Sequence, residues 1–113
     1  MQFLLIICHD DEFRPTHGLS SDIAAWIEEA SQRGIRVSGN PLRPAGEAIT
    51  VRMRDGKLTR TNAPFTNSSE KMCAYELIEC GNIEEAVGVA TKHPMAKVAT
   101  IEVRPVWSEL SIS

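Results

Sequence analysis

The sequence predicts an α+β domain, and three observations predict it. Residues 2–8, QFLLIIC, are apolar without alternation, which reads as a central strand buried on both faces. Two stretches, one from Ser20 or Ser21 to about Arg33 and one opened by Asn82, repeat apolar residues at helical spacing. Residues 47–60 alternate apolar and polar around Asp55-Gly56, the strongest hairpin signal in the chain.

In chain order, the strand at 2–8 gives way to a long polar loop, HDDEFRPTHGLSS, whose length marks it as a place for function. The first helix carries Ile23, Ile27 and Ala30 on one side with Trp26, and Gly34 is a C-terminal stop. Residues 35–40 form a short strand that ends at Pro41. In EAITVRMR, residues 47–54, Ile49, Val51 and Met53 share one face and Thr50, Arg52 and Arg54 the other. Residues 57–60 return as the partner strand, and 61–70 form a second polar loop. Residues 71–79 make another strand. Asn82 and Glu85 form a capping-box-like pair, and Ile83, Ala86, Val87 and Ala90 give the second helix its apolar stripe. It stops before His93-Pro94, where a protonated His93 suits the helix dipole. Residues 97–106 are the last strand, with Ala99, Ile101 and Val103 on one face and Thr100, Glu102 and Arg104 on the other.

The chain has 113 residues, which fit a single domain, 1–113, with no internal repeat or linker. Twelve Lys+Arg against fifteen Asp+Glu give a net charge of −3, which argues against a nucleic-acid-binding face. Hydrophobic residues at 42% and charged residues at 24% belong to a globular chain and argue against disorder. The run from Phe3 to Cys8 is far short of a membrane span and lacks the flanks of a secretory signal, so no membrane partner is expected. Three cysteines, Cys8, Cys73 and Cys80, have spacings that match neither CxxC nor a zinc pair, and they read as thiols in a reducing cytoplasm. A nucleophilic Cys8 is disfavoured because His9, its neighbour on a strand, points the other way.

The order β-α-β-(β-hairpin)-β-α-β with right-handed crossovers puts both helices on one face of the sheet. That is a ferredoxin-like layer with an inserted hairpin. The other face is left uncovered, and because residues 2–8 are apolar on both sides, a homodimer through the sheet face is expected.

Several segments resemble the YCII-related family, in its DGPF subgroup. They are Tyr75-Glu76-Leu77-Ile78, Asn82-Ile83-Glu84-Glu85-Ala86, His93-Pro94, Ile101-Glu102-Val103-Arg104-Pro105-Val106, and Thr50-Val51-Arg52 leading to Asp55-Gly56-Lys57. The resemblance spans nearly the whole chain and implies a dimeric α+β barrel. Some relatives are small lyases, a His–Asp pair has been proposed as catalytic in the YciI branch, and DGPF members often accompany extracytoplasmic-function sigma factors. This chain departs from the pattern. The name-giving D-G-P-F stands as Asn62-Ala63-Pro64-Phe65, and Asn62 cannot act as a general base. Asn67 and Ser69 replace the usual Glu and Lys, while Glu70 is kept. Cys73 and Ala74 replace paired glycines. His93 stands where the YciI branch has an aspartate, and Arg14-Pro15-Thr16-His17 is similar to that branch's Arg-Pro-x-His.

The candidate site is therefore a cleft between the sheet and the 9–17 and 61–70 loops. His17 or His9 would move a proton with help from Glu102, and Arg104 would hold an anion. Asn62, Phe65 and Tyr75, in the resembling segments, are further candidate substrate contacts. The first expectation is a cofactor-free acid–base domain, of lyase or isomerase type, binding a small acidic metabolite. The alternative is a non-catalytic dimeric module that senses a ligand or serves a regulatory protein such as a sigma factor. No metal site is expected, since HxH and HExxH spacings are absent, and no phosphate loop or serine-hydrolase elbow occurs.

Overall fold

The computed structural model describes residues 1–110. Strand β1 (Gln2–His9) leads through the long loop to helix α1 (Leu19–Gln32) and strand β2 (Arg36–Pro41). Strands β3 (Thr50–Arg54) and β4 (Lys57–Thr61) follow a 3₁₀ turn at Ala45–Glu47. Strand β5 (Lys71–Glu79), helix α2 (Ile83–Thr91), a 3₁₀ turn at Pro94–Lys97 and strand β6 (Thr100–Pro105) complete the order. The main sheet runs β2-β5-β1-β6, antiparallel throughout, with β3 and β4 in a separate ribbon. This is the ferredoxin-like α+β arrangement with an inserted hairpin.

Alternation in β1 sets the layers. Phe3, Leu5 and Ile7 are at most 1% exposed and pack under the helices with Ile78. Leu4, Ile6 and Cys8 point to the opposite face and are only half-buried. The apolar run is thus fully buried on one side alone. On that open side Leu4 lies between Leu77 and Arg104, and Ile6 between Tyr75 and Glu102.

Helix α1 begins one residue before the expected Ser20 cap. Gly18 takes the left-handed conformation at the N-cap with φ 85°, and no side chain caps the turn. Leu19 is buried against Ile7 and Met95, and that burial draws the helix start to it. At the other end Gly34, φ 70°, closes a Schellman motif: its N–H donates to Ser31 O, and Ile35 N–H donates to Ala30 O. Asn82 accepts from Glu85 N–H at 2.9 Å, and Glu85 accepts from Gly81 N–H at 2.8 Å, so the predicted cap forms with Gly81 as the second donor.

The buried stripe of α2 is narrower than its periodicity implies. Ala86 and Ala90 are buried with Val89 beside them, while Ile83 and Val87 are about two-fifths exposed. Alanine at the contact lets the helix lie close on β1 and β6, which turns the larger residues outward. The last strand is also shorter than expected, because His93-Pro94 starts a 3₁₀ turn that runs to Lys97.

Asp55 and Gly56 both have positive φ, the two-residue type I′ turn that the pair favours. The β3–β4 ribbon projects as an arm. The radius of gyration is 16.1 Å, against about 13 Å for a compact chain of this length. Among the described residues no helix is long and apolar enough to cross a membrane.

Candidate functional site

Helix α1 walls one side of a cavity over the sheet. Between its N-terminal half, the loop after β1 and the core-side face of β2, β5 and β1 lies an open cavity of about 800 Å³. Its walls are mainly apolar, with Ile7, Phe13, Leu19, Ile23, Ile27 and Met95 among them. Polar side chains break that lining, Arg36, Glu76, His9 and His93 among them.

Glu76 sits on β5 between Ala74 and Ile78, on the face that is otherwise apolar, and is 4% exposed. Its Oε2 accepts from Arg36 Nε at 2.6 Å. Arg36 also donates through a terminal nitrogen to Gly39 O at 2.9 Å, which fixes the guanidinium between strand and carboxylate. The geometry needs a glycine opposite Glu76. A Cβ on Gly39 would overlap the Glu76 carboxylate and stand 2.7 Å from Tyr75 O. Burial pushes the Glu76 pKa up, against the opposing hydrogen bond and charge of Arg36.

His93 is 3% exposed. Its Nδ1 accepts from Met95 N–H at 3.1 Å, capping the 3₁₀ turn. A backbone N–H can only donate, so Nδ1 is the bare nitrogen and the proton of the neutral ring is on Nε2. That Nε2 is itself buried, and among the described residues it has no hydrogen-bond partner. Trp26 packs on the ring at 4.6 Å in a tilted arrangement. Burial lowers the His93 pKa to about 4, so the ring is neutral at neutral pH. The expected dipole role for a charged His93 is therefore corrected: desolvation outweighs the helix end, and the ring instead caps the next turn in its neutral form.

His9 ends β1 at the rim of the cavity and stacks on Phe13 at 4.5 Å. Its Nδ1 donates to Asp10 O at 2.8 Å, which leaves Nε2 as the nitrogen available to a ligand. His17 lies at the mouth and is exposed. The two histidines chosen from the sequence thus meet at one cavity.

The other candidates lie elsewhere. Glu102 and Arg104 stand on the open face of the sheet, across β1 from the cavity. They pair with each other at 3.7 Å, with side chains 57% and 70% exposed. Such an exposed pair carries little energy, and it cannot assist His9 or His17 through the sheet. Tyr75 is on the same open face, where its hydroxyl accepts from Asn40 Nδ2 at 3.2 Å. Asn62 and Phe65 follow the hairpin arm and are exposed, Phe65 by 75%. Thr50 Oγ1 donates to Ala63 O at 2.7 Å and ties this segment to β3. The 61–70 loop contributes no wall to the cavity. The cleft is accordingly built from the 9–17 loop and α1 and not from the 61–70 loop.

Arg36, Glu76 and His93 were not singled out as a site by the sequence reading. The signal for Glu76 was present: it is a lone acid on the strand face shared by Ala74 and Ile78. Among the described residues no three His, Cys, Asp or Glu side chains converge as a metal ion would require.

No family model matches the chain. It is similar to an uncharacterised protein of Rhizobium meliloti, 26% identical over an alignment 117 positions long, with 88% of each chain covered.

Proposed function

We propose that the chain is a YCII-related domain whose cavity beneath α1 binds a small polar or acidic metabolite and performs cofactor-free proton transfer of the lyase or isomerase type. One observation carries this reading: a carboxylate 4% exposed opens on a largely apolar cavity of about 800 Å³. Burial raises the Glu76 pKa toward the range where a carboxyl can both take and return a proton, while Arg36 keeps the ionised form accessible. His9, through Nε2, is the group placed to pass protons between the cavity and solvent. The ferredoxin-like sheet order and the single-domain layout support the family resemblance.

The same reading includes a homodimer. Leu4, Ile6 and Leu77 form a half-buried apolar strip on the open face, and the YCII-related resemblance implies pairing there. Cys8, Cys73 and Cys80 are unpaired, which supports a reducing compartment such as the cytoplasm. A second reading, a non-catalytic ligand-sensing module that engages a regulatory protein, is favoured by the arm, where Val51, Met53 and Leu58 are each 60% exposed or more.

The test is a thermal-shift screen against small carboxylic and carbonyl acids, followed by turnover assays on each hit. A native-state ligand at a hundredfold excess over Kd adds about 2.7 kcal/mol of stability. Hits are expected to disappear in Ala24→Trp, which fills the mouth of the cavity, and turnover is expected to disappear in Glu76→Gln while binding survives. Hits indifferent to Ala24→Trp would place binding elsewhere. Binding without turnover in the native chain would favour the sensing module.

A further inference from the structure

The β3–β4 arm consists of two strands that, among the described residues, pair only with each other. A lone two-stranded ribbon is marginal in water and needs a surface to pack on. Its register provides one side for that purpose. Met53 stands opposite Leu58 and Val51 opposite Arg60, so these four side chains share a side, and all four residues are exposed. Arg52, Arg54 and Lys57 take the other side with the threonines.

The open face of the main sheet has the matching deficit. Leu4 and Ile6 on β1 and Leu77 on β5 form a half-buried apolar strip there. Leu4 and Ile6 are two residues apart on one strand, as are Val51 and Met53, so both pairs repeat at about 7 Å. Acids border the strip. Glu102 lies opposite Ile6, and Glu70 accepts from Thr100 Oγ1, where Thr100 lies opposite Cys8. The exposed contact of Glu102 with Arg104, at 3.7 Å, carries little energy, so exchanging it for another cation costs little.

Charge selects the occupant. Residues 50–61 hold four cations and one acid, a net +3, on a chain of net −3, so the rest of the molecule carries −6. An anionic membrane or a nucleic acid repels that body, whereas the body attracts the arm of another copy. We infer that the arm of each copy lies across the open sheet face of a second copy, with Val51, Met53 and Leu58 on the strip of Leu4, Ile6 and Leu77 and Arg60 beside Glu102. The exchange is reciprocal, so a twofold dimer closes with both arms and both faces covered. This rests on the homodimer reading and deepens it by naming the segment that covers the face.

The experiment is analytical ultracentrifugation of the whole chain and of two single variants, Met53→Asp on the arm and Ile6→Lys on the face. The native chain is expected to dimerise. Each variant is expected to raise the dimer dissociation constant at least about tenfold, as loss of a central apolar contact does. The decisive sample is an equal mixture of the two variants. Met53→Asp keeps a sound face and Ile6→Lys a sound arm, so the mixture should form a heterodimer with one intact contact, and should do so more tightly than either variant pairs with itself. Leu58→Asp and Leu4→Lys repeat the comparison if thermal unfolding shows either first variant to be misfolded. A native monomer would overturn this inference together with the homodimer reading. A dimer indifferent to Met53→Asp would overturn the role of the arm and leave the homodimer reading in place. Monomeric, folded variants whose mixture stays monomeric would mean that arm meets arm or face meets face, and would overturn the exchange. Cosedimentation of the native chain with phosphatidylserine vesicles, lost in Met53→Asp, would give the arm to an anionic surface and overturn it as well.

Discussion

Protonation of His93 should destabilise the domain in mild acid. The ring is 3% exposed, and burial lowers its pKa from 6.5 to about 4. The other titratable and charged groups on its cavity are Glu76 and Arg36, which pair with each other, the Cys73 thiol, and His9 and His17 at the rim. A histidine whose folded pKa is depressed contributes stability that is complete above the unfolded value and is lost as pH falls through the folded value. The window therefore runs from about pH 6.5 down to about pH 4. At about 1.4 kcal/mol per pH unit the full loss is about 3 kcal/mol, and about 2 kcal/mol is gone by about pH 5. Against a typical total of about 5–15 kcal/mol this is a large fraction. Glu76 acts with the opposite sign: its raised pKa favours the folded state at low pH and disfavours it as pH rises, so the raw pH profile mixes the two. The isolating variant is His93→Asn, which keeps an acceptor for Met95 N–H and removes the titration. Urea unfolding of both proteins at about pH 7.5 and about pH 5 gives the needed difference. The native-minus-variant stability should fall by about 2 kcal/mol between the two conditions. A difference that stays constant within about 0.5 kcal/mol would refute a buried neutral His93.

Other consequences concern the elements that shape the cavity. Gly39→Ala should cost more than about 2 kcal/mol in thermal unfolding, since a backbone oxygen and the Glu76 carboxylate occupy the space of the new methyl group; a variant as stable as the native chain would contradict the close approach. Asn82→Ala should cost about 1 kcal/mol by loss of the helix cap, and no change in the unfolding midpoint would show the cap to be idle. Ile6→Lys, on the open sheet face, should turn a sedimenting dimer into a monomer; an unchanged sedimentation coefficient would exclude pairing through that face.

The fold was largely legible because its signals are local. Asp55-Gly56, Gly34 and Asn82-Glu85 each dictate one backbone geometry, and each takes it. Alternation in 99–104 correctly put Glu102 and Arg104 together on the uncovered side. The site was legible only in part, for two physical reasons. Periodicity tells which residues share a face but not how fully a helix and a sheet fill the space between them, and the cavity lies between α1, the 9–17 loop and the sheet. Alternation set Glu102 and Arg104 together on one strand face, whereas the partner of Glu76 stands on β2 and reaches it only when β2 pairs with β5. His93 was misjudged for a related reason: its place after a helix was visible, while its burial against Trp26 and its bond to Met95 were tertiary facts.

The pairing of Arg36 with Glu76 also separates what the fold needs from what the cavity needs. The two side chains are 18% and 6% exposed, so both lose most of their hydration on folding. A buried ion pair often gives no net stability over apolar residues of similar volume, whereas removal of one partner is costly. Arg36→Met with Glu76→Leu should therefore leave the unfolding free energy unchanged or raise it by about 1–4 kcal/mol. Glu76→Leu alone, which strands the guanidinium, should lower it by about 3–5 kcal/mol. If the double variant is as stable as the native chain but has lost every ligand found in the thermal-shift screen, the pair is held there for the cavity and not for the fold. If the double variant loses several kcal/mol, the pair is a structural clamp between β2 and β5, and the case for Glu76 as the proton-transferring group loses its main support.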